Sequence, residues 1–91
     1  MLETYTTRVS ICIPTYNSAT TIGETLNSIL SQTYQDLEIL VVDNASEDNT
    51  VKVAQEFVDP RIRIYENETN LGGEGNFNRC IALAKGEYIA I

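Results

Sequence analysis

An unbroken aliphatic run, Ile39-Leu40-Val41-Val42, stops at Asp43 and passes straight into Asn44-Ala45-Ser46-Glu47-Asp48-Asn49-Thr50. Aliphatic runs of strand length that end in a cluster of turn formers mark strands buried on both faces. Such strands lie inside parallel sheets, and each parallel pair needs a long crossover, usually a helix. The stretch therefore commits the chain to an α/β architecture. It places Asp43 at the carboxyl end of a central strand over residues 37–42, the edge of an open α/β sheet where ligands bind.

The flanking sequence supplies the other elements. Residues 1–7 read as a polar lead-in, and residues 8–13 as a first strand halted by Pro14. Thr21 and Glu24 make a capping-box pattern, and Ile22, Leu26, Ile29 and Leu30 recur on one helical face, which predicts a helix to about Gln32. Residues 33–36 are a turn. A second helix opens near Asp48 or Asn49, turns Val53, Ala54, Phe57 and Val58 inward and ends before Pro60. Residues 61–65 alternate Arg61, Arg63 and Tyr65 with Ile62 and Ile64, the pattern of a half-exposed strand near a sheet edge. Residues 66–75 form a glycine-containing loop centred on Asn70-Leu71-Gly72-Gly73. A third helix then buries Phe77, Cys80, Ile81 and Ala84, with Gly86 placed to cap its end. Residues 87–91 begin a fourth strand.

The order β-α-β-α-β-α-β, with these connection lengths, predicts a three-layer, mostly parallel, Rossmann-like sheet with right-handed crossovers, built over residues 1–91 as one α/β domain. A buried strand that runs to the last residue gives the expectation of a longer parent chain. Its unpaired apolar edge is a route to self-association.

Composition narrows the function. The net charge is −7, from 13 acidic and 6 basic residues. That balance argues against a nucleic-acid or anionic-membrane partner, which needs a basic face, and is compatible with a divalent metal or simply with solubility. There is no histidine, hence no imidazole ligand, base or triad. The two cysteines, Cys12 and Cys80, fall in a strand and on an apolar helix face, so they read as buried thiols of a reducing, cytoplasmic compartment. No apolar segment reaches the roughly 20 residues of a membrane span.

Two loops leave adjacent strand ends. The first holds Pro14, Thr15, Tyr16 and Asn17, and the second Asp43, Asn44, Ser46 and Asp48. Together they can line a crevice for a planar, hydrogen-bonding ligand: a carboxylate accepts from N–H or ribose hydroxyls, and an aromatic ring offers a stacking face. Local roles compete. Asp48 can cap the second helix, Asn44 and Ser46 can shape the turn, and Tyr16 can pack locally. Asp43 is the hardest to read as structural, because a carboxylate after four aliphatics costs stability unless something pairs with it. Gly72, Gly73 and Gly75 lack the Gly-Lys-Ser/Thr ending of a phosphate loop, and residues 14–20 hold no glycine for a dinucleotide fingerprint. Pro14-Thr15-Tyr16 also stands where a phosphate receiver would want acids.

Four segments then share one likeness. Val9-Ser-Ile-Cys-Ile-Pro-Thr-Tyr-Asn17, Glu38-Ile-Leu-Val-Val-Asp-Asn-Ala-Ser-Glu-Asp-Asn-Thr50, Asn70-Leu-Gly72 and Ala84-Lys-Gly-Glu-Tyr-Ile89 together resemble the amino-terminal half of a family 2 glycosyltransferase with the GT-A fold. The resemblance covers nearly the whole chain. It implies a nucleotide-sugar donor, most often a uridine diphosphate sugar, and inverting transfer to a hydroxyl of an acceptor sugar or lipid-linked sugar, as in cell-envelope polysaccharide biosynthesis. It implies that residues 14–17 wrap base and ribose, that Asp43, beside Asn44 and Ser46, hydrogen-bonds the base, and that Asn70 and Gly72 lie by the nucleotide. Asn78 matches a frequent asparagine of the third helix. Phe77 stands where an arginine often does, which removes a basic contact to the diphosphate.

The resemblance also implies Mg²⁺ or Mn²⁺ held by an Asp-x-Asp motif beyond residue 91, with the catalytic base later still. The chain is then the donor-binding portion, inactive in transfer alone, with no catalytic residue or metal ligand of its own. The competing reading is a non-catalytic α/β module that binds nucleotide or protein. A nucleotidyltransferase-like relative is disfavoured, because it would carry a Gly-rich basic loop where residues 14–17 stand.

Overall fold

The computed structural model describes residues 8–90. The lead-in at residues 1–7 and Ile91, the end of the expected fourth strand, lie outside them. The elements run β1 (Val9–Thr15), α1 (Ile22–Leu30), β2 (Leu37–Asp43), α2 (Thr50–Gln55), β3 (Ile62–Glu66), α3 (Gly72–Leu83) and β4 (Tyr88–Ala90). The strands are all parallel, in the order β3-β2-β1-β4.

β2 is buried along its whole length, as its aliphatic run requires. Alternation sends Leu37, Ile39 and Val41 to one face and Leu40 and Val42 to the other. The first face packs with Ile22 and Leu26 of α1 and Ala54 of α2, and the second with Cys80 of α3. This split follows from topology. α1 and α2 carry the chain one way across the sheet, and α3 carries it back past β2 and β1. Crossovers of one hand place such helices on opposite faces, giving three layers.

Several boundaries differ from expectation, each for a physical reason. β1 runs through Pro14 to Thr15. Tyr88 N–H donates to Arg8 O on the β4 side, while Asn44 N–H donates to Thr15 O on the β2 side. Backbone groups of even-numbered β1 residues therefore face β4. The described pairing with β4 ends at Ile11, so the donor that Pro14 lacks breaks no ladder bond there. The capping box does not form: Thr21 makes no side-chain cap, and α1 stops at Leu30, two residues before Gln32. The chain's entry into α1 is fixed from the second loop, by Ser18 N–H to Thr50 Oγ1 (2.7 Å) and Ala19 N–H to Asp48 Oδ2 (3.2 Å).

α2 is only six residues long, so helical spacing no longer governs Val58, which is 98% exposed rather than inward. α3 begins at Gly72, inside the expected loop, and its buried positions are Asn76 and Cys80. Phe77 and Ile81, expected inward, are exposed. Asn76 takes the interior because its amide finds partners there. Gly86 does not cap α3, whose C-cap is Ala84. It is a point of close approach, where a Cβ would stand 2.7 Å from Ser10 N and Oγ.

β3 is an edge strand, as predicted, with Ile62 and Ile64 against the first core and Tyr65 against the second. β4 forms the other edge, with Tyr88 and Ile89 exposed. Both cysteines are buried free thiols, and Cys12 Sγ donates to Cys80 O at 3.6 Å. Burial and the neighbouring Cys12 push the Cys80 thiol up to about 11, and burial with Glu38 nearby raises Cys12. Neither is a nucleophile at neutral pH.

Candidate functional site

Parallel pairing sets Thr15 opposite Asp43 at the carboxyl ends of β1 and β2. The Asp43 carboxylate, 2% exposed, is engaged within the chain. Oδ1 accepts from Thr15 Oγ1 (2.9 Å) and Ser46 Oγ (2.6 Å), and Oδ2 accepts from Ser46 N–H (2.8 Å). A buried carboxylate must be compensated, and these three bonds supply the compensation. Its carbonyl accepts Asn67 N–H at 2.8 Å, which ties the end of β3 alongside.

The two loops are stitched together from there. Ser46 Oγ accepts Asn17 N–H (2.8 Å), and Asn17 Oδ1 accepts Glu47 N–H (2.9 Å). Asn17 and Ala45 hold left-handed backbone, with φ of 49° and 61°. Asp48 bonds within the chain: Oδ1 accepts Thr50 N–H (3.0 Å) and Thr50 Oγ1, and Oδ2 accepts Ala19 N–H. The bonds from Thr50, foremost its hydroxyl, hold the Asp48 carboxyl below its ordinary value. Asp48 thus secures the start of α2, whose N-cap is Asn49.

A cleft of about 250 Å³ opens over these loops, lined by Pro14, Thr15, Tyr16, Asn44, Gly73, Asn76 and Phe77. Four residues singled out from the sequence, Pro14, Thr15, Tyr16 and Asn44, therefore meet in one wall. Asn17, Asp43 and Ser46 do not line the cleft and hold the loops that do. Asn70 and Gly72 support Asn44: its Nδ2 donates to Asn70 Oδ1 (2.9 Å) and Gly72 O (3.2 Å). Gly72 has φ 78°, a left-handed turn that suits glycine, and its N–H donates to Asn70 Oδ1. Asn78 is exposed on α3 and does not line the cleft; Asn76, one half-turn earlier, does.

Asn67 and Asn76 were missed as site residues. Asn44 Oδ1 accepts Leu71 N–H (2.8 Å) and Asn67 Nδ2 (3.0 Å), Asn67 Nδ2 also donates to Asn76 Oδ1 (2.8 Å), and Asn76 Nδ2 donates to Val42 O (2.9 Å). These partners lie far apart in sequence and follow no period. The one available signal was the i, i+4 spacing of Asn76 and Cys80 on a single helix face.

None of the seven lining side chains is charged. Tyr16 and Phe77 are 46% and 39% exposed, so two aromatic rings stand at the cleft surface. Exposed rings over an uncharged wall suit stacking on a flat heterocycle. Among the described residues, no group of three or more His, Cys, Asp or Glu side chains is placed to hold a metal ion.

The model of Glycosyl transferase family 2 matches residues 10–91. The chain belongs to this family. It is 43% identical over 82 residues to the UDP-Glc:α-D-GlcNAc-diphosphoundecaprenol β-1,3-glucosyltransferase WfgD of Escherichia coli, covering 90% of this chain and 32% of that protein. It is 39% identical over 85 residues to the glycosyltransferase GlyG of Streptococcus pneumoniae, covering 91% and 28%. The chain thus spans about a third or less of these relatives.

Solved structures share its fold. TarS 1-349 of S. aureus in complex with UDP superposes with a TM-score of 0.83 at 34% identity, over 90% of this chain and 25% of that one. The mannosyltransferase PcManGT of Pyrobaculum calidifontis, in complex with GDP-Man and Mn²⁺, gives 0.84 at 34% identity, over 94% and 27%. The parallel sheet described above is the GT-A nucleotide-binding architecture that the family resemblance implied.

Proposed function

We propose that this chain is the donor-nucleotide-binding portion of a glycosyltransferase and that its cleft takes the base and ribose of a UDP-sugar. The observation that carries the reading is the uncharged cleft at the carboxyl ends of β1 and β2, with Tyr16 and Phe77 exposed and Asn44 and Asn76 in its wall. In this reading Tyr16 stacks on the base, and Pro14 and Thr15 follow the ribose. The bonds that engage Asp43 also anchor the second loop, and Asp43 is the proposed hydrogen-bond partner of the base. Asn70 and Gly72 shape the wall through Asn44, and Asn78 is proposed as a contact from the family resemblance alone, outside the cleft wall.

UDP stands in the structure of one relative and in the name of another, and GDP-Man in a third. We favour UDP on those grounds. The whole protein would transfer the donor sugar, with inversion, to a hydroxyl of a lipid-linked sugar, at the cytoplasmic side of the membrane. The E. coli relative's name carries such an acceptor, and the two free thiols accord with a reducing compartment. The Mn²⁺ of the mannosyltransferase complex speaks for a divalent ion in the family. The described residues do not fit such an ion, because no three of their His, Cys, Asp or Glu side chains converge. The part of these 91 residues is to bind and orient the nucleotide, and by themselves they transfer no sugar. Any self-association is assigned to the β4 edge.

Calorimetric titration of the chain with UDP, GDP and ADP tests the reading. The expected result is saturable one-to-one binding, strongest for UDP and weakened about tenfold by Tyr16→Ala, the loss of a base–aromatic stack. No saturable heat from any of the three would overturn it. Equal affinity for all three would favour the module without donor selectivity.

A further inference from the structure

Asn67 does not line the cleft, yet it orients both asparagines that do. Its side-chain nitrogen donates to Asn44 Oδ1 at 3.0 Å and to Asn76 Oδ1 at 2.8 Å, and both acceptors belong to cleft-lining residues. The amide has one workable sense. Turned over, it would set its oxygen against two carbonyl oxygens. In the sense it adopts, Oδ1 is buried without a partner. A buried acceptor left unpaired works against stability, so the benefit of this residue lies in what its nitrogen holds.

Two branches leave that nitrogen. Through Asn44, it fixes the amide that binds Asn70 Oδ1 and Gly72 O, and so places the segment leading into Gly73 of the cleft wall. Through Asn76, whose Nδ2 donates to Val42 O, it seats the start of α3 on the end of β2. The backbone N–H of Asn67 donates to Asp43 O, which anchors the whole arrangement to the sheet. One buried side chain therefore sets Asn44 of the β2 loop against the first turns of α3, both of which line the cleft with the end of β1.

We propose that Asn67 is a positioning residue for nucleotide binding, acting through Asn44 and Asn76 without touching the ligand. The proposal rests on reading the cleft as the nucleotide site. Its test is Asn67→Asp, which keeps the shape and removes both donors. The variant should retain its far-UV circular dichroism and bind UDP at least about tenfold more weakly, the effect of losing a buried hydrogen bond. The amide resonances of Leu71 and Gly72 should shift, because those N–H groups donate to Asn44 Oδ1 and Asn70 Oδ1. A core variant far from the cleft, Ile29→Ala, should lower the melting temperature and leave UDP affinity within about twofold, since distant sites act independently.

Unchanged UDP binding by Asn67→Asp, with the wild-type chain binding normally, overturns this inference alone. Unmoved Leu71 and Gly72 amides do the same. A wild-type chain that binds no nucleotide overturns the parent reading and this one together. If the variant does not fold, the wild-type protein decides. The Asn67 side-chain amide protons should exchange at least about tenfold more slowly than those of exposed Asn78, as buried bonded groups do, and equal rates would overturn the proposal.

Discussion

Ala45 sits at φ 61°, where a side chain crowds the following carbonyl. The strain is of order 1–2 kcal/mol and is offset in part by the entropy a glycine would lose. Ala45→Gly should therefore stabilise the chain by about 0.5–1 kcal/mol, visible as a melting temperature higher by a few degrees. A lower melting temperature would show that the loop draws support from the Ala45 methyl. The neighbouring Asp43 marks how far single residues can be read from sequence. Its place at the end of a central strand was legible in the aliphatic run before it. Its hydrogen-bond partners were not, because Thr15 lies 28 residues away and becomes visible only once β1 and β2 are in register. The same holds for Asn67 and Asn76, whose partners lie across loops with no periodic signature.

At the scale of elements, the connection from α3 to β4 is held from below by a buried carboxylate. Glu38, only 4% exposed, accepts Lys85 N–H at 2.7 Å and the Ser10 hydroxyl, while Gly86 N–H donates to Ser10 Oγ at 2.7 Å. Gly86 can lie this close to β1 only without a side chain, since a Cβ would also stand 2.9 Å from Val9 C. Gly86→Ala should cost about 1–3 kcal/mol as overpacking against backbone. Chemical denaturation should show a lower midpoint, and an unchanged midpoint would contradict the close approach. Sequence periodicity placed α1 and β3 well, because apolar spacing governs both. On α3 it placed Cys80 and Ala84 inward correctly but misplaced Phe77 and Ile81, because a hydrogen-bonded Asn76 takes the interior beside Cys80. It also set Val58 inside, because α2 ends before helical spacing reaches it.

For the molecule as a whole, the fold was legible because β2 is buried on both faces and its two sides demand helices of their own. Strand order, by contrast, depends on the reversal through α3, which no local pattern encodes. The proposed function stands on the cleft over β1 and β2 being a preformed nucleotide site. Amide NMR during a UDP titration of the 91-residue chain tests it most directly. Saturable shifts should be confined to Tyr16, Asn44, Gly73, Asn76 and Phe77 with their immediate neighbours, with α1 and the Glu38 region silent. Shifts centred elsewhere, or none in a folded chain at saturating UDP, would contradict it.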